Sequence, residues 1–160
     1  MAVFISHSSA DDRLARQIYD RLTNRHGIKC YLDDLDPALQ GTRNVTDVIL
    51  QRLEECSYLM AVVTPNTNTS WWVPFEIGVA RRAPRYITTF TNLIHSLPTY
   101  LKEWPVLKSD SDLDKFARWR ASEARIGHER LIEAANEKME SQLTAVDLFH
   151  YGLRKDLGQL

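Results

Sequence analysis

Glu76 stands four residues after Trp72 in the run Ser70-Trp71-Trp72-Val73-Pro74-Phe75-Glu76. Residues four apart share a helix face, so a helix that already includes Trp72 sets a carboxylate beside an aromatic wall. Such a wall raises a carboxylate's pKa by desolvation, or lets it bind hydroxyls where little water enters. Pro74 suits a first helical turn but pushes Val73 away from helical geometry. The alternative is therefore that Trp72 precedes the helix and folds over its start. Three other groups lie at ends of apolar runs: Ser6-His7-Ser8, Asp33-Asp34 and Thr64-Pro65-Asn66. Each also has a structural reading. A Trp pair at a helix start packs, a first-turn Glu complements the helix dipole, His7 holds a hydrogen bond, and Asp33 and Asp34 form a turn.

The elements that must position these groups follow from periodicity. Ala2 to Ile5 is a short apolar run, expected as a buried strand. Ser9, with Asp12 three residues on, reads as an N-cap. Leu14, Ile18 and Leu22, with Ala15, make one face of a helix that Gly27 ends. Ile28 to Leu32 is a second strand, broken by Asp33 to Pro37. Val45, Ile49 and Leu53 mark a second helix. Tyr58 to Thr64 is apolar nearly throughout, as in a central strand buried on both faces. A helix begins near Trp71 to Pro74, a fourth strand spans Tyr86 to Thr91, and Pro105 to Leu107 is a short fifth. This alternation predicts a parallel sheet with helices on both faces. In such a sheet ligands bind beyond the carboxyl ends of the strands, where the winding reverses. From Asp112 the pattern turns helical, with Leu113, Phe116, Ala117, Ile126, Leu131, Ala135, Met139 and Leu143 as apolar positions. Gly127 is a candidate interruption, and Gly152 and Gly158 mark a fraying end.

Bulk properties narrow the function. The 160 residues suffice for one domain, and 44% apolar with 26% charged residues is ordinary globular composition. Twenty basic residues against 21 acidic ones give a net charge of −1, unlike the basic footprint of a nucleic-acid binder. No secretory leader and no membrane span are expected, since the longest apolar run, Tyr58 to Val63, is far too short to cross a bilayer. Cys30 and Cys56 share no close spacing, and the five histidines have no metal-ligand spacing. A cytoplasmic, reducing location without a metal is the expectation.

The motifs together resemble the Toll/interleukin-1 receptor (TIR) family. Val3-Phe4-Ile5-Ser6-His7-Ser8 resembles its first box. Ile28 to Asp33 resembles the second strand and the Asp opening the BB loop, closed here by Gly41. Ser57 to Thr64 is similar to the third strand, and Ser70 to Glu76 resembles the Ser-x-Trp-x-x-x-Glu signature of the third helix. They arrive in family order across residues 2–107.

The resemblance implies a flavodoxin-like, doubly wound sheet of five parallel strands over residues 1–110; the helical pattern over 111–160 exceeds a minimal TIR domain and is expected as a C-terminal extension packed on or extending the same domain. The resemblance also implies an enzyme that cleaves the nicotinamide–ribose bond of NAD+, with Glu76 as the essential residue. The implied substrate-binding set is Phe4, Ser6, His7, Asp33, Asp34, Trp71 and Trp72. NAD+ would be the substrate, with no cofactor. Short TIR proteins of this kind resemble those of Thoeris-type anti-phage defence, which turn NAD+ into a cyclic or modified ADP-ribose signal for a separate effector. Self-association through TIR–TIR contacts is also implied, and the apolar positions beyond Asp110 suggest that the tail takes part. The competing reading is a non-catalytic TIR–TIR scaffold. A receiver domain would need an Asp at the end of the third strand, where this chain has Thr64. A nucleoside deoxyribosyltransferase also attacks an N-glycosidic bond with a Glu beside a sheet edge, and product analysis separates it from an NADase.

Overall fold

Strand β1, Ala2–Ser6, is buried at all five positions and lies second in a five-stranded sheet. Its neighbours are β2 (Cys30–Leu32) and β3 (Cys56–Val63), followed by β4 (Tyr86–Thr91) and β5 (Val106–Leu107). The order is β2-β1-β3-β4-β5, parallel throughout. The structure is a computed structural model. It describes residues 1–32, 45–70, 72–92, 97–134 and 144–160, with backbone alone at 45, 68, 69 and 124–134.

Alternation along the strands sorts side chains between two apolar layers. Val3 and Ile5 of β1, with Tyr58, Met60 and Val62 of β3, face helices α1 (Asp12–Asp20), α4 (Asp110–Ala134) and α5 (Ala145–Asp156). Ala2 and Phe4, with Leu59, Ala61 and Val63, face α2 (Val45–Glu55) and α3 (Trp72–Arg81). The five-stranded doubly wound α/β expectation therefore holds. The short fifth strand pairs with β4 through Thr89–Val106 and Phe90–Leu107.

α1 buries Ala15 and Ile18, then widens into a π-turn at Arg21–Arg25 that buries Leu22. Gly27, at φ 63°, closes it as expected of a residue without a Cβ. Its N–H donates to Thr23 O at 3.0 Å. Ser9 does not cap this helix, contrary to the sequence reading. It lies inside a 3₁₀ turn, Ser9–Asp11, and neither that turn nor α1 receives a side-chain cap. The Asp side chains of this segment are used elsewhere, as described below. The π-turn docks on α4 through Asp114, which accepts from Arg21 Nε at 3.0 Å and Nη2 at 2.8 Å and pairs with His26 Nε2 at 2.7 Å. These bonds, that to Arg21 foremost, hold the Asp114 carboxyl well below the usual range.

The C-terminal segment departs most from the sequence reading. α4 runs through Gly127 without interruption, and Gly152 lies within α5 rather than in a fraying end. A capping box starts α5: Thr144 Oγ1 accepts from the Asp147 N–H at 3.2 Å, and Asp147 Oδ2 accepts from the Thr144 N–H at 2.9 Å. Phe149 and Leu153 are buried in the same layer as Phe116 and Leu113. His150 Nε2 accepts the Ile87 N–H at 3.0 Å, and Gln159 Oε1 accepts the Val106 N–H at 3.0 Å. Helix α5 and the residues after it thus satisfy backbone donors of β4 and β5. Of the tail positions expected to self-associate, Ala135, Met139 and Leu143 lie outside the described residues.

Gly152 allows the α4–α5 approach. A Cβ there would meet the Trp119 ring at 2.1 Å, and Trp119 Nε1 is itself tied to Asp156 Oδ2 at 3.3 Å. Gly152→Ala should therefore lower stability by about 1–2 kcal/mol, read from urea unfolding. The loss should shrink by more than half in a Trp119→Leu background, as a double-mutant cycle would show.

His150 predicts a pH dependence. Burial, the largest influence on it, pushes its imidazole down to about 4. Between the unfolded value of 6.5 and about 4 the unfolded chain binds the extra proton, so stability falls as pH is lowered through that window. The expected loss is about 3 kcal/mol by pH 4, read as a falling urea midpoint. In His150→Gln, whose amide can still accept the Ile87 N–H, the curve should flatten there. A wild-type midpoint constant from pH 7 to 4 would refute this account.

Candidate active site at the β1 and β3 strand ends

The winding reverses between β1 and β3: β2 lies outside β1 on one side, and β4 and β5 lie outside β3 on the other. The crevice beyond the carboxyl ends of these two strands is where an open parallel sheet receives ligands. Ser6 ends β1 opposite Ala61 of β3. Two residues beyond Phe4, it lies on the face that α3 covers.

Three hydrogen bonds shape the rim. Asp11, buried, accepts from Thr64 Oγ1 at 2.7 Å and from Asn66 Nδ2 at 2.8 Å, tying the loop after β1 to the loop after β3. Asp12 Oδ1 lies 3.0 Å from His7 Nε2. With the Nε2–H donating to Asp12, a neutral His7 presents Nδ1 as an acceptor. Nδ1 of His7 and Oγ of Ser6 are buried and have no hydrogen-bond partner among the described residues. Buried polar atoms are seldom left so.

α3 supplies the carboxylate. Val73, Ile77 and Ala80 form its buried stripe, and Glu76, at 0% exposure, lies within that stripe. Burying a carboxylate costs far more than burying an aliphatic side chain, so this is a position where packing alone would select Leu or Met. The helix begins at Trp72, two residues before Pro74, so the expected distortion at Val73 does not occur. The packing of wholly buried Val73 outweighs the local preference. The resulting spacing sets Trp72 one turn before Glu76. Trp72 is nonetheless 43% exposed and meets Phe75, 40% exposed, edge to face at 5.9 Å.

Ser6, His7 and Glu76 are thus buried polar residues on β1, its loop and the helix that packs on it. Phe4 belongs to the apolar layer shared with Val73 and Ile77. Asp33, Asp34 and Trp71 lie outside the described residues. Asp11 was missed as a site residue by sequence reasoning, which took its neighbours for a helix cap. Its signal was an Asp pair in the segment that joins the first strand to the first helix. No group of three or more His, Cys, Asp or Glu suited to a metal occurs among the described residues. Cys30 and Cys56 are buried free thiols, pushed by burial up to about 12 and about 11. No helix among the described residues is long and apolar enough to cross a membrane.

A family model described as TIR domain matches residues 3–126. The chain belongs to the TIR domain family. Members of this family serve as NAD+ hydrolases or as signalling modules that associate TIR to TIR. No curated protein sequence matches the chain. Among solved structures, a 2-deoxyribosyltransferase from Bacillus psychrosaccharolyticus is similar, with a TM-score of 0.57 and 8% identity over 71% of this chain and 90% of that one. At that identity the likeness concerns the fold alone. Helix α5 of this TIR domain lies beyond the matched residues, yet its His150 serves the sheet directly.

Proposed function

We infer that this TIR domain cleaves the nicotinamide–ribose bond of NAD+ and produces a cyclic or modified ADP-ribose signal for a separate effector, in bacterial anti-phage immunity of the Thoeris type. The observation that carries the reading is the complete burial of Glu76 in the stripe that α3 turns toward the sheet. Nicotinamide leaves as a neutral base, taking the electron pair of its bond to C1′, so no strong general acid is required. What the reaction demands is a carboxylate that holds the ribose hydroxyls and stabilises the oxocarbenium charge developing at C1′. Glu76 has that role. Ser6 Oγ and His7 Nδ1 are polar atoms with hydrogen-bonding capacity to spare for the ribose or the nicotinamide amide. Trp72, with Asp33, Asp34 and Trp71, completes the substrate-binding set. Capture of C1′ by water gives linear ADP-ribose, and capture by a group of the same molecule gives a cyclic isomer. In either case the attacking group's proton passes to solvent.

The exposed pair Trp72 and Phe75 favours a second reading, a TIR–TIR scaffold in which these rings are a contact surface. NAD+ consumption at high protein concentration, with and without infected-cell lysate, decides between them. Products are separated by chromatography and weighed by mass spectrometry. Nicotinamide release that Glu76→Gln abolishes supports the enzyme, and the product mass separates hydrolase from cyclase. Equal inactivity of both proteins under every condition favours the scaffold.

A further inference from the structure

α3 carries Glu76 near its start and Arg81 at its end. Arg82 and Arg85 follow in the turn to β4, on the rim opposite the β1–β3 crevice. All three arginines line a cavity of about 330 Å³ whose other walls include Trp104, Asp147 and His150. One arginine at a helix end is accounted for by the dipole. Three in one concavity repel one another and need a counter-charge.

The cavity's own groups supply only part of it. Asp147 is the sole carboxylate in the wall among the described residues; its single negative charge, which Arg81 feels, balances one of the three arginines, and its Oδ2 also accepts the N–H and hydroxyl of Thr144, at 2.9 and 2.7 Å. Neither Arg82 nor Arg85 forms an ion pair among the described residues. His150, pushed down to about 4 by burial, adds no charge to the cavity at neutral pH. The half-buried Arg85 and the largely buried indole of Trp104 give the cavity a partly dry interior, where charge-assisted bonds are strong. Guanidinium forks match phosphoryl oxygens bidentately. The volume suits a pyrophosphate or a small nucleoside phosphate, at the low end for ligand pockets.

We propose that this cavity is a binding site for a small phosphoryl-bearing anion, separate from the crevice that holds Glu76. Because α3 joins the two, an anion drawing on Arg81 acts on the helix that positions Glu76. The site does not depend on NAD+ being cleaved.

Titration calorimetry with inorganic pyrophosphate at near-physiological salt tests it. The expected result is saturable binding of one anion per chain, weakened at least about tenfold in Arg82→Gln/Arg85→Gln. The single variant Arg82→Gln, at an exposed position, should keep the wild-type circular dichroism and still lose affinity. These positions face away from the crevice, so pyrophosphate bound where NAD+ would lie is unaffected by them. Binding that survives in both variants places the anion elsewhere and overturns the proposal. Heat that does not saturate, or that sulfate reproduces equally, means an adventitious ion only and overturns it as well.

Discussion

Glu76→Gln should lower NAD+ turnover by about a thousandfold or more, while the thermal midpoint stays the same or rises. A thousandfold loss corresponds to about 4 kcal/mol of transition-state stabilisation, the scale of removing a preorganised electrostatic group from a dry site. Gln keeps the volume and can still accept a hydroxyl, so substrate binding should change far less than turnover. It removes the negative charge that an oxocarbenium-like transition state requires. The stability arm follows from location. Glu76 shares its stripe with Val73, Ile77 and Ala80 and is 0% exposed, so the neutral amide avoids the desolvation of a carboxylate. Undiminished turnover in Glu76→Gln would remove Glu76 from the chemistry. A large drop in midpoint would make it a structural residue instead.

Asp11→Ala should destabilise the fold by about 2–3 kcal/mol, because it strands two donors, Thr64 Oγ1 and Asn66 Nδ2, that now bond a buried carboxylate. Asp11→Asn keeps one acceptor oxygen and should cost about half as much. Both variants should also reduce NAD+ turnover at temperatures where they remain folded, since the tie between the β1 and β3 loops shapes the crevice. Asp11 acts there as a positioning residue, so the loss should appear in kcat and KM together. Denaturant unfolding beside steady-state kinetics reads both effects. Wild-type kinetics in a destabilised Asp11→Ala would confine this residue to stability.

Much of this was legible in the residues themselves. β1 and β3 are nearly continuous apolar runs, the pattern of strands covered on both faces, and they occur where that pattern places them. Leu22 of α1's continuation, and Ile49 and Leu53 of α2, are buried as their spacing requires. The order of the TIR motifs identified the family from side-chain types alone. All of these are local signals, carried by periods of two and 3.6 residues or by short strings.

What only the tertiary structure decided involves partners distant in sequence. Asp11 looks like part of a helix cap until Thr64 and Asn66, 53 and 55 residues away, arrive at its carboxylate. Gly152 looks like a helix breaker until Trp119 packs against the place its side chain would fill. The Thr144–Asp147 box was readable as a helix start, but nothing local shows that His150 accepts from β4. Glu76 was a candidate by spacing, yet a glutamate one turn into a helix is as ready to face solvent as the sheet. Its burial depends on how α3 is rotated against the sheet, which the packing of Val73, Ile77 and Ala80 determines.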